Sequence, residues 1–155
     1  GTTCASPATT LTCTVTGGTS PTNRFCMYEY SGADKVAPFD VAVSQTQAAT
    51  ATPTSGPVTT TINNELLFGM CNVSNTRTIT AGTNIAWVLE EQLPTGAGIG
   101  KIGIEDFVAA NTAGSFQANF NLNASDDCVT CIGTFKPASP ASSGSNRLLL
   151  MGVGV

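Results

Sequence analysis

Over residues 115–122, Phe116, Ala118, Phe120 and Leu122 alternate with polar neighbours, and over residues 10–16 Leu11, Cys13 and Val15 alternate with threonines. A repeat of two sends successive side chains to opposite faces, so each segment reads as a strand with one face in a core and one in water. Shorter runs repeat the pattern, with Phe39, Val41 and Val43 in one and Ile102 and Ile104 in another. Strands are also expected over 24–30, 58–62, 65–71, 77–80, 84–92 and 127–136, with Gly, Pro, Asn and Ser between them. About ten short strands with turn residues at each break, and no helical periodicity, predict an all-β chain. The expected architecture is a two-sheet antiparallel β-sandwich, jelly-roll or Greek-key in its connections, with no substantial helix. No internal repeat points to a solenoid or propeller.

Composition supports a half-wet pleated surface. Charged residues are 10% of the 155, and about two dozen threonines take their place; threonine is β-branched and suits such a surface. The body is expected over residues 1–137. A Ser/Pro/Gly linker covers 138–145, and an apolar strand covers 146–155. A Thr/Ala/Pro/Ser/Gly tract at 46–57 reads as a loop.

The same counts bound the function. The net charge is −4 and the six basic residues are scattered singly, which leaves no stripe for phosphates and argues against a nucleic-acid partner. No run of apolar residues is long enough to insert in a membrane as a helix. The chain has no histidine, so Ser-His-Asp and Cys-His nucleophile systems cannot be built from it. Paired carboxylates are the acid chemistry that remains. Glu90–Glu91, Glu105–Asp106 and Asp126–Asp127 are adjacent pairs whose members point to opposite faces of a strand, while Glu91 and Glu105 are placed to meet across strands. The expectation is that no residue is catalytic and the chain is not an enzyme.

Six cysteines, Cys4, Cys13, Cys26, Cys71, Cys128 and Cys131, form an even set that suits an oxidising compartment. All six are expected to be oxidised, with Cys4–Cys13 as a local pair, and with Cys128 and Cys131 on opposite faces and joined to different partners. A lone C-x-x-C without histidine does not make a zinc site, and no metal ligand is assigned. No cofactor is expected; calcium is the minor alternative, with Glu105, Asp106, Asn123, Asp126 and Asp127 as its oxygen donors. Asn72 and Asn123 open sequons for N-glycosylation. The chain opens at Gly1 without a signal peptide, which reads as a processed terminus or an excised segment. Together these place it outside the cell or on its surface.

Tyr28-Glu29-Tyr30-Ser31-Gly32, Pro38-Phe39-Asp40-Val41, Val58-Thr59-Thr60-Thr61, Asn64-Glu65-Leu66-Leu67-Phe68-Gly69 and Gly133-Thr134-Phe135-Lys136-Pro137 follow one another in this order. The series resembles β-sandwich modules of large secreted bacterial surface proteins, which carry E-Y-S-G, N-P-x-D, T-T-T, D-L-L-x-G and a closing F-K strand. The resemblance implies fold and location, and no chemistry. Two departures stand out. Few strands precede the E-Y-S-G segment, and the stretch 143–155 looks like the opening strand of such a module placed at the wrong end. Leu148, Leu149, Leu150, Met151, Val153 and Val155 would then form a contact strand. It either completes the sheet of a neighbouring copy, folds back on its own body, or marks a segment cut out of register. The expected function is an extracellular structural module, a subunit of a head-to-tail filament or surface array whose partners are copies of itself. The alternative is a glycan-binding or adhesive module, with Trp87, Tyr28 and Tyr30 as stacking residues, although Trp87 between Ile85 and Leu89 also reads as core. A Lys–Asn isopeptide cross-link, as in some pilus domains, needs a buried lysine beside an asparagine and a carboxylic acid, and nothing in the sequence marks Lys101 or Lys136 as buried.

Overall fold

The computed structural model describes residues 26–94, 100–108 and 110–139. Within them the chain is all-β, with no helix and nine strands. The strands are β1 (Phe39–Thr50), β2 (Val58–Thr59), β3 (Leu66–Val73), β4 (Ile79–Thr80), β5 (Val88–Leu93), β6 (Lys101–Phe107), β7 (Ser115–Phe116), β8 (Asn121–Leu122) and β9 (Asp126–Phe135). Five form one antiparallel sheet in the order β1-β9-β3-β6-β5, and the others form two small pairs, β2-β7 and β4-β8. Where sequence reading expects two full sheets, the described residues therefore show one full sheet and shorter pairs over one of its faces.

The period of two explains which face is covered. In β3 the odd residues Leu67, Gly69, Cys71 and Val73 are buried, and in β9 the even residues Asp126, Cys128, Thr130, Ile132 and Thr134 are buried. Those sets lie opposite one another, with Leu67 facing Thr134, Gly69 facing Ile132 and Cys71 facing Thr130. Upon this inner face sit Val58, Ile79, Ala118, Phe120 and Leu122 from the short pairs, making one core with Trp87. The approach is close enough to require glycine. A Cβ on Gly69 would stand 2.9 Å from Ala118 Cβ, and one on Gly103 would stand 2.6 Å from Ile79 Cγ2.

Several boundaries differ from the sequence reading, each for a local reason. β1 runs through to Thr50, past the expected start of a loop at residue 46, because Gln47 turns inward and its Oε1 accepts Thr54 N–H at 2.7 Å. A bulge follows Gln47, where Ala49 takes φ 48° and its N–H donates to Asp127 Oδ1 at 2.9 Å. β5 begins only at Val88, since the Trp87 indole N–H donates back to Asn84 Oδ1 and holds 84–87 in a turn. The expected strand 115–122 breaks in the middle, where Ala118 C=O accepts from Ser55 N–H and Phe120 N–H donates to Pro53 C=O. The expected strand 24–30 is described from Cys26, and Cys26–Tyr30 has no ladder partner among the described residues.

Candidate functional site

The outer face of the main sheet carries the other register set: Leu66, Phe68 and Met70 of β3, and Cys131, Gly133 and Phe135 of β9. Segment 26–33 runs across this face. Tyr28 and Tyr30 pack their rings on Phe68 at centroid distances of 5.6 and 6.4 Å. Each phenol is tied to a carboxylate, with Tyr28 donating to Glu91 at 3.3 Å and Tyr30 to Asp106 at 2.7 Å. Burial first, then the neighbouring Cys26 and Glu91, push the Tyr28 phenol up to about 12. Burial and the Asp106 hydrogen bond raise Tyr30 as well. Both phenols therefore stay protonated and keep donating.

Between this segment and the sheet lies an apolar groove of about 340 Å³, lined by Cys26, Tyr28, Tyr30, Leu66, Phe68 and Phe135. A second hollow continues it past Asn64, Val108 and Pro137, sharing Tyr30, Ala33, Leu66 and Phe135. Both ends of the described body come to its rim. The chain enters at Cys26, a lining residue, and leaves where Ala33 bridges Pro137 and Ala138 N–H donates to Gly32 C=O.

The structure separates most of the residues singled out from sequence. Trp87 is 6% exposed and packs edge-on against Phe107, so it belongs to the core and not to a stacking surface. Glu91 pairs in register with Ile104, whereas Glu105 lies on the inner face with its Oε1 and Oε2 accepting N–H groups of Asn119 and Gly82. The expected meeting of Glu91 and Glu105 is thus corrected: they lie on opposite faces of one sheet. The calcium donors are dispersed for the same reason. Asp106 turns out to Tyr30, and Asp126 is held by Asn75 and by Arg77 at 3.3 Å. Among the described residues, no three Cys, Asp or Glu side chains converge to hold a metal ion.

Among the described residues no disulfide joins Cys26, Cys71, Cys128 and Cys131, so the expected bridging is not seen among these four. Cys71 faces Thr130 and Cys128 faces Val73, so the two inner thiols are diagonal neighbours on one face, close enough for each to bear on the other's ionisation. Burial pushes the Cys71 thiol up to about 12. Cys128 and Cys131 do lie on opposite faces. Asn72 is exposed on β3, and Asn123 is exposed with its Oδ1 accepting Thr78 N–H at 2.9 Å. Cys4, Cys13 and the tail residues Leu148 to Val155 lie outside the described residues.

No family model matches the chain, and no match was found among curated proteins or solved structures.

Sequence reading missed the groove. Its walls come from strand ends far apart in the chain, and the one local signal was the alternation Cys26, Tyr28, Tyr30.

Proposed function

We propose that the chain is an extracellular structural module that assembles head to tail by strand donation. The tail at 146–155 of one copy lies along segment 26–30 of the next and seats its apolar face in the groove. One observation carries this reading. Among the described residues Cys26–Tyr30 crosses the outer face without a strand partner, beside an apolar groove at whose rim the described residues end. An extended segment without a ladder is a template for an added strand. The linker at 138–145 spans on the order of 25 Å when extended, enough to leave the parent body. Burying Leu148, Leu150 and Val153 is worth roughly 1.5 to 3 kcal/mol each, and a heterologous contact that does not close gives a filament.

Deleting residues 146–155 is expected to leave chains that do not form fibres in electron micrographs. Phe68→Asp, which puts a charge on the groove floor, is expected to block the acceptor while leaving the tail intact. Mixed together, the two variants should form a one-to-one complex and stop there. Fibres from the tail-deleted chain at the wild-type rate would refute donation. A second reading, a glycan- or adhesin-type ligand held in the groove, is favoured by the half-buried rings of Tyr28 and Tyr30 packed on Phe68. It predicts carbohydrate binding that the Phe68→Asp variant loses and tail deletion does not.

A further inference from the structure

The start of β1 and the end of β9 meet in a small polar cluster beside the Phe39–Phe135 ring pair. Asp40 is the second residue of β1, and Lys136 follows β9 directly. Lys136 Nζ lies 3.2 Å from Asp40 Oδ1, and the aspartate side chain is 5% exposed against 30% for the lysine. Thr61 closes the other side, its N–H donating to Asp40 Oδ2 and its hydroxyl to Oδ1, each at 2.9 Å. Glu65, 1% exposed, sits beside the same Asp40 carboxyl and bears on its ionisation. Its Oε1 accepts the N–H groups of Thr61 and Ile62 at 3.0 and 3.1 Å, while its Oε2 receives no N–H or hydroxyl donor.

This is an amine, a carboxyl electrophile, a proton relay and a backbone N–H donor in contact. We propose that Lys136 and Asp40 condense into an isopeptide bond, with Glu65 relaying the protons, so that the end of β9 is covalently joined to the start of β1. The ammonium of Lys136 first gives a proton to the Asp40–Glu65 pair. Its nitrogen then attacks Asp40 Cγ, forming the N–C bond, while Thr61 N–H holds the oxyanion that develops on Oδ2. Cγ–Oδ1 breaks as Glu65 passes a second lysine proton to the departing oxygen. Ammonium and carboxylate become amide and water, and Glu65 is regenerated. No oxidant or cofactor enters the balance. Holding the partners in contact supplies the entropy that makes such a step intramolecular.

The bond would sit one residue before the point where the chain turns away toward its tail. Tension arriving through the tail would then pass into β1 through a covalent link before it could peel β9 from its neighbours. The chemistry itself does not depend on donation, because every group involved belongs to one body.

The test is the mass of the intact, purified full chain after reduction and denaturation. It should be lighter than the sequence by one water, and digestion should yield a branched peptide joining the segments around Asp40 and Lys136. Lys136→Arg keeps the ion pair but lacks the nucleophile, and should restore the full mass. Glu65→Gln keeps the shape but not the relay, and should leave most of the chain unlinked. A wild-type chain of full mass, whose Lys136 is acetylated by an amine reagent after denaturation, overturns the proposal without requiring any variant to fold. Complete linkage in Glu65→Gln would overturn the role given to Glu65.

Discussion

Glu105 is wholly buried between the main sheet and the short pairs, where its two oxygens accept N–H groups of Gly82 at 2.9 Å and Asn119 at 3.0 Å. Burial outweighs those two bonds and raises its pKa from 4.5 to about 7. A raised folded-state pKa means that the native chain holds its proton where the unfolded chain has lost it. The stabilising contribution is therefore full below pH 4.5 and is lost as pH rises through 7. At 1.36 kcal/mol per pH unit this shift amounts to about 3 kcal/mol. The window is free of histidine, since the chain has none. The other shifted carboxylates act below it. Asp34, Asp40 and Asp126 are all held under their ordinary 3.8, so their stabilisation is present above that value and lost as pH falls. Urea unfolding from pH 3 to 8 should thus show a maximum near pH 4 to 5 and a decline toward 7. Glu105→Gln cannot ionise and should flatten the decline while leaving the acid limb in place. Because its amide group would oppose one of the two backbone donors, it should also lower stability at pH 4.5 by about 1 to 3 kcal/mol. A wild-type midpoint that rises between pH 5 and 7, or a Glu105→Gln chain with the wild-type slope, would refute this account.

Phe120 is 0% exposed at the centre of the core, and Phe120→Ala is expected to cost about 3 to 5 kcal/mol in the same urea assay. Gly103→Ala would place a Cβ 2.6 Å from Ile79 Cγ2; the crowding should cost about 1 to 3 kcal/mol, and the further change Ile79→Val should recover part of the loss.

Strands were legible where one face is apolar and the other polar. β6 contains the run read from Ile102 and Ile104, and β9 differs from its reading by one residue at each end. Legibility failed where polar side chains do the work of apolar ones. Residues 46–57 read as a loop on composition, yet Gln47 turns inward to bind Thr54 N–H, and Ser55 is fully buried with its hydroxyl accepting Ala118 N–H at 3.0 Å. Nothing in a Thr/Ala/Pro/Ser run announces such contacts, since the same residues serve equally in open turns. The groove and the Asp40–Lys136 contact were hidden for another reason. The groove depends on β3 lying beside β9 and the contact on β1 lying beside β9, pairings between distant parts of the chain that alternation cannot specify. The reading of Lys136 as unremarkable follows from judging it by its neighbours in sequence, when its relevant neighbour is Asp40.

The sparse charge takes on a different meaning once its partners are known. Of ten acidic residues, six accept backbone N–H groups: Asp34 from Val36 and Ala37, Asp40 from Thr61, Glu65 from Thr61 and Ile62, Glu105 from Gly82 and Asn119, Asp126 from Asn75 and Asp127, and Asp127 from Ala49. Two more, Glu91 and Asp106, hold tyrosine hydroxyls on the outer face. An ionised carboxylate, the form in which Asp34, Asp40 and Asp126 are held, offers acceptors and no donors, and hydrogen bonds to a charge are about twice as strong as neutral ones. It is therefore suited to a loop that exposes two N–H groups and has no strand to receive them. In a chain whose second layer consists of two-residue strands, such loops are many, and sheet pairing alone would leave their donors orphaned. The acids thus fix the short pairs upon the main sheet and hold Tyr28 and Tyr30 at the groove, while threonine covers the solvent surface. The low charge content follows from this division of labour, because carboxylates are placed where a backbone donor needs one and few are left for the exterior.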